Sequence, residues 1–187
     1  MNSVIRKARV LLVAYYAYML EYRAELFLWA LSGSLPLILM GTWIKAAQTG
    51  QFGLKPLDFA HYFLAVFIIR QFTVVWVIYD FEKEVVEGRL SPRLLQPIDP
   101  VWHHVAGHVS ERFARLPFAL MLIALFFTLY PQAFWVPRLE NFLLSVLAVL
   151  LAFTLRFLTQ YTFALLAFWT ERANAIDNFW FLFYLFL

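Results

Sequence analysis

Two arginines stand inside apolar runs, where a charge is costly. Arg70, with Gln71 beside it, interrupts HYFLAVFIIRQFTVVWVIY, and Arg156, with Gln160 one helical turn on, interrupts LLAFTLRFLTQYTF. A guanidinium at membrane depth costs several kcal/mol unless it finds partners. Neither run holds a carboxylate near that depth. Both arginines are therefore expected to face a subunit interface, backbone carbonyls or a wet cavity rather than lipid. Two roles stay open for Arg70, Gln71, Arg156 and Gln160. They could line a translocation path and meet an anionic or polar group of a substrate. They could instead be structural hydrogen-bond hubs, with Arg156 snorkelling to the interface.

Three histidines, His103, His104 and His108, follow Trp102. His104 and His108 have the i, i+4 spacing that can share a metal on one helical face, and Glu111 lies three further on. The residue after His104 is Val105, so the metalloprotease order H-E-x-x-H is absent. The expectation is interfacial polar histidines and no metal. The chain has no G-x-x-x-x-G-K-[ST], so it holds no nucleotide by a P-loop. It has no G-x-S-x-G elbow. Carboxylates are nearly missing from the apolar runs, which disfavours a proton-coupled pump. No catalytic residue and no cofactor are assigned to this chain.

The most charged stretch is Asp80–Pro100, DFEKEVVEGRLSPRLLQPIDP, set between two long apolar runs. Glu82–Glu87 can form a short helix, with Gly88 as its C-cap. Val85, Val86, Leu90, Leu94 and Leu95 give the stretch an apolar side, and Pro92 breaks it again. A short helix with charged flanks suits insertion into a groove on a partner. A merely solvated linker has the same composition.

These residues need elements to hold them. Hydrophobic residues make up 63% of the 187 and charged residues only 14%, against about 25% charged in soluble domains. No soluble fold of this size hides so much apolar surface. The runs are helix-length, which predicts an all-α, polytopic transmembrane bundle. Spans are expected at 26–45, 59–79, 116–135 and 141–169, with a fifth begun at 178–187. The last ends on FWFLFYLFL with no exit signal, which suggests a fragment of a longer protein. Residues 1–25 start like a signal peptide but lack a small-residue cleavage site. Val4, Ala8, Leu11, Tyr15, Tyr18 and Tyr22 follow helical spacing, and an interfacial helix is expected there. The stretch 80–115 becomes an extramembrane loop with an amphipathic continuation. The zero cysteines exclude disulfides.

Lys and Arg set the orientation. Arg6, Lys7, Arg9, Arg23, Lys83, Arg89, Arg93, Arg112, Arg115 and Arg172 fall on one side. Only Lys45, Lys55 and Arg138 fall on the other. The N-terminus and the charged loop are therefore expected in the cytoplasm. The net charge of +3 follows this topology and implies no nucleic acid. Trp29, Trp43, Trp76, Trp135 and Trp169 fall near span ends, as an aromatic belt requires.

Trp76, Tyr79 and Asp80 form a W-x-x-Y-D at a span end. Glu87-Gly88-Arg89-Leu90-Ser91, Leu94-Leu95, Pro97 and Pro100 follow. Leu166-Ala167-Phe168-Trp169-Thr170 closes the fourth span. In these motifs and in span order the chain resembles membrane subunits of bacterial ABC-2-type ABC transporters. The resemblance implies a six-span permease in the bacterial cytoplasmic (inner) membrane, paired with a second permease copy or a homologue. It implies a separate ABC ATP-binding subunit that carries ATP and magnesium, and export rather than import. It also places ATPase coupling on Glu82–Leu95, namely Glu82, Glu84, Glu87, Gly88, Arg89, Leu90, Leu94 and Leu95, with Glu171 and Arg172 as a second contact. Charge reversal of Glu84 and Glu87 is then expected to uncouple transport without harming insertion. Apart from the resemblance, other readings remain: an ion-coupled carrier or channel without an ATPase, a metalloenzyme using His104 and His108, or a membrane anchor.

Overall fold

The computed structural model describes residues 3–48, 53–170 and 172–179. Among them every regular element is helical: α1 (Ser3–Glu21), α2 (Arg23–Ser32), α3 (Leu35–Ala47), α4 (Pro56–Thr73), α5 (Val77–Val86), α6 (Leu90–Leu94), α7 (Pro100–Leu129) and α8 (Leu139–Ala164). Short 3-10 turns follow α7 and α8, and residues 174–179 are helical again. Four helical stretches are long and apolar enough to cross a membrane: Arg23–Ala47, Pro56–Val86, Pro100–Leu129 and Leu139–Phe168. The fold is the all-α transmembrane bundle that the composition requires. The last eight residues of the expected fifth span lie outside the described residues.

Two of the stretches are not single helices. The first bends at Gly33-Ser34, between α2 and α3. Gly33 follows the last residue of α2, and Pro36 sits in the first turn of α3, where its missing N–H is no loss. The second stretch, expected as one span over 59–79, breaks at Val74–Trp76 into α4 and α5. Val74 is extended, with φ −67° and ψ 133°. No Gly or Pro marks the break. Thr73, Val74 and Val75 are β-branched, and that weakens helix only slightly.

The third stretch begins earlier than its apolar run. Asp99 accepts a hydrogen bond from the Val101 amide at 3.0 Å, and Pro100 stands at the first helical position. α7 then runs unbroken through the histidines and into the apolar half. It ends before Pro131, short of the expected 135, because a residue preceding proline disfavours helix.

The two ends of the bundle are packed differently. At one end α3, α4 and the close of α7 share an apolar cluster of Met40, Ala60, Phe63, Leu64, Phe67, Phe126 and Ala133. His61 Nε2 lies 3.0 Å from the Ala133 carbonyl oxygen and ties the turn after α7 to α4. At the other end α1 lies along the first half of α7. Leu11, Tyr15 and Met19, four residues apart, are its half-buried stripe, while Val4, Tyr18 and Tyr22 stay exposed. Ser110 Oγ donates to the Leu12 carbonyl at 3.0 Å, and Lys7 Nζ to the Pro97 carbonyl at 3.2 Å.

Candidate functional site

The charged end is built around α5. Val77, Ile78, Phe81 and Glu84 are its buried face, with the three- and four-residue spacing of one helical stripe. Ile78 and Phe81 join Leu90, Ala164, Ala167 and Ala173 in an apolar cluster. The charged segment thereby packs against the close of α8 and the turn beyond it. Gly88 has φ +69° and its amide bonds to the Val85 carbonyl, the left-handed geometry of a helix C-cap.

The structure corrects the expected exposure of Glu84. Its carboxylate is buried, with one oxygen 2.9 Å from Arg93 Nη1 and the other 3.5 Å from His104 Nε2. It holds α5, α6 and α7 together. Reversing its charge would damage the fold and would not test coupling alone. Glu87 does stand in solvent and pairs with Arg89 at 2.7 Å. Leu90 is buried, while Val86, Leu94 and Leu95 project outward, Leu95 at 89% exposure. The apolar side expected for this segment is therefore split between core and surface.

Glu82 does something that its position in the sequence does not announce. Its Oε2 accepts a hydrogen bond from the Asn174 amide at 2.6 Å, at the start of the helical residues 174–179. Nearby, the Tyr79 hydroxyl donates to Asn178 Oδ1 at 3.0 Å. The charged segment and the turn after α8 are one continuous surface, on which Arg172 is exposed. Glu171 lies outside the described residues.

The histidines are not at a free interface. His104 and His108 are buried, and the Tyr15 hydroxyl is 3.2 Å from His103 Nδ1. With Asp80, Glu84 and Glu111 they border a cleft of about 530 Å³ under α1. Burial pushes the Tyr15 hydroxyl above its ordinary pKa. Among the described residues no three His, Cys, Asp or Glu side chains converge as a metal-ligand set.

Arg112 was not singled out by sequence, yet it organises the break in the second stretch. Its Nε donates to the Phe72 carbonyl at 2.8 Å, and its Nη atoms donate to the carbonyls of Val74 and His108. The guanidinium carbon sits 4.1 Å from the centre of the Phe153 ring. Carbonyls freed by the break thus find a cationic donor on α7 and an aromatic face on α8. The one available signal was an arginine four residues after His108 on the same helical face, which is weak alone.

Arg70 and Gln71 share a small cavity of about 150 Å³ with Arg115, Trp29, Ser32 and Trp76. Arg70 is exposed and Gln71 is buried. Gln71 Nε2 reaches the Ala30 carbonyl at 3.4 Å and passes so close to Gly33 that a Cβ there would lie 2.7 Å from it. Arg156 and Gln160 do not line this cavity. The run itself holds no carboxylate near Arg156 and Gln160, but one reaches them from beyond it. Gln160 Nε2 lies 3.2 Å from Asp177, on the helix after α8, and Arg156 is close enough to act on the same carboxyl. Burial pushes the Asp177 carboxyl up, while the Gln160 hydrogen bond and Arg156 pull it down.

Compared with protein families, residues 57–183 match the model of the ABC-2 family transporter protein. This chain belongs to that family. The ABC-2 match spans α4 to the end of the described chain, which includes the charged surface and both arginine–glutamine pairs. As an ABC-2 protein with four span-length apolar helical stretches, it is a multi-pass membrane permease component of an ABC transporter. Searches of the curated proteins and of the solved structures gave no match.

Proposed function

We propose that this permease is the membrane half of an ATP-driven exporter whose ATPase is a separate polypeptide. In this reading the N-terminus and the charged surface face the cytoplasm of a bacterial inner membrane. ATP and magnesium belong to the partner, and a second permease copy or a homologue completes the path. The permease itself hydrolyses nothing.

The observation that carries the proposal is the Glu82–Asn174 clasp. It joins the two segments that the family resemblance marks for coupling, and Leu94 and Leu95 stand out from that joined surface among charged neighbours. Exposed leucines on a short, well-held helix suit a groove on a partner better than a solvated linker does. Closure of the ATPases would push on α6 and α5, and the packed contact with 173–178 would carry the push to the helix after α8. The expected alternation is a rigid-body change at a bistable interface.

The chain has no cysteine, so Leu95→Cys gives a single attachment point for a thiol-directed photocrosslinker in native membranes. A P-loop ATPase captured from Leu95→Cys, and not from Val136→Cys at the opposite end, is the expected result. Failure to capture any P-loop ATPase from Leu95→Cys would overturn the proposal.

A further inference from the structure

The cavity between α2, the α4–α5 break and α7 has a composition unlike the rest of the bundle. The Arg70 side chain reaches it with no ion pair or hydrogen bond to another described residue. Arg115 lines it while 7% exposed, paired to Glu111 through Nη2 and with a buried Nε–H that meets no acceptor. Arg112 lies close by with its donors directed to Val74 and Phe72 carbonyls. Two guanidiniums, Arg70 and Arg115, thus line the cavity and, among the described residues, no carboxylate does; Glu111, which pairs with Arg115, has its other oxygen 3.5 Å from His108. The remaining polar groups in the cavity wall are mostly engaged: Ser32 donates to the Trp29 carbonyl, Gln71 to Ala30, and the Trp29 indole to Glu25. The local balance is an excess of positive charge and a missing acceptor.

The height of the cavity matters as much as its charge. Arg70 lies about 21 Å along α4 from Pro56, and Arg115 about 21 Å along α7 from Leu129, at 1.5 Å per residue. A hydrocarbon core is about 30 Å thick. Both side chains therefore sit in the leaflet nearer the charged end, close to its headgroups. Trp29 and Trp76, with ring centres 5.4 Å apart, flank the cavity as interfacial indoles do.

We propose that this cavity binds the phosphate oxyanion of an anionic amphiphile entering from the leaflet on the charged side. The oxyanion sits between the free fork of Arg70 and the unpartnered Nε–H of Arg115. The two indoles, in contact with each other, form one wall beside the join between headgroup and chain. The inference rests on the transport reading only in making this amphiphile a cargo; the binding itself needs neither ATP nor a partner.

The test is native mass spectrometry of the purified protein equilibrated with equal amounts of phosphatidylglycerol and phosphatidylcholine. The protein should retain phosphatidylglycerol about five-fold over phosphatidylcholine, the scale set by one arginine near an anionic group. Arg70→Gln should abolish that preference, and Arg70→Lys should keep most of it and so report an intact fold. Added inorganic phosphate separates the two sources of the anion. Binding of free phosphate without a lipid preference supports the same pocket with a soluble anion as its ligand. No preference and no phosphate binding would overturn the proposal, and so would an equal loss on Arg9→Gln, which would make the effect a general surface field. Failure of the Leu95→Cys crosslink would leave these results untouched, so the two proposals fail separately.

Discussion

The α4–α5 stretch and α8 begin from nearly the same sequence material and end in opposite situations. Each is a long apolar run carrying one arginine and one glutamine, 31 residues in one and 30 in the other. In the most apolar part of α4–α5, 44% of residues are buried inside the protein, against 6% in α8. The first is broken just past its middle and repaired by Arg112; the second is continuous over 26 residues and touches its neighbours mainly through Phe157, Gln160 and Ala164. Apolar composition selects the membrane for both. It does not select which run is central, because lipid and protein interior are equally apolar partners. Polar contacts decide that, and they gather where a helix has been interrupted.

Substitutions can break this contrast, and the largest effect is expected at Arg112. Arg112→Ala leaves the carbonyls of Phe72 and Val74 unpaired and removes the cation over Phe153. A loss of about 3 kcal/mol is expected, read as a large fall in the detergent thermal midpoint, with Arg112→Lys recovering part of it. An unchanged midpoint would mean that the break needs no repair.

Phe67→Ala comes next. Phe67 is fully buried in the cluster shared by α3, α4 and α7, and the cavity left should cost about 3 kcal/mol. The matching change on α8, Leu150→Ala, should move the midpoint by under about 0.5 kcal/mol, since Leu150 faces outward. Similar losses at both sites would erase the distinction between a central and a peripheral span.

Glu82→Gln sharpens the comparison at the charged end. It keeps the shape and weakens the hydrogen bond to Asn174, with an expected cost of about 1 kcal/mol. Hydrogen exchange at the amides of 174–178 should speed up, while the amides of α3 should not change. The smallest effect is expected for Gly33→Ala. The added methyl meets the flexible end of Gln71, so only the 3.4 Å bond to Ala30 is at stake, about 0.5 kcal/mol.

How far the chain could be read follows from the same physics. The apolar runs, the charged segment at 80–100 and the odd arginine–glutamine pairs all stand out because each breaks a local pattern. Gly88 was readable as a cap because a left-handed residue after a short helix is usually glycine. The break at 74–76 was not readable, since Val74 and Val75 sit in continuous helices elsewhere and only tertiary contacts tip the balance. Arg112 sat inside a stretch assigned to an amphipathic loop, and its acceptors come from residues 38 and 40 positions earlier. Glu84 did carry a readable sign, its place on the Val77–Phe81 stripe, masked by the charges around it. Asp177 was out of reach, because its meeting with Gln160 depends on how the chain turns after α8.

The interruption at 74–76 gives the molecule a joint. Three residues there stand outside the helical ladder, and the Arg112 guanidinium bridges the carbonyls of Phe72 and Val74 beside them. On the proposed coupling, a load applied at Leu95 would turn the short arm, α5, about this fulcrum and leave the long arm, α4, in place.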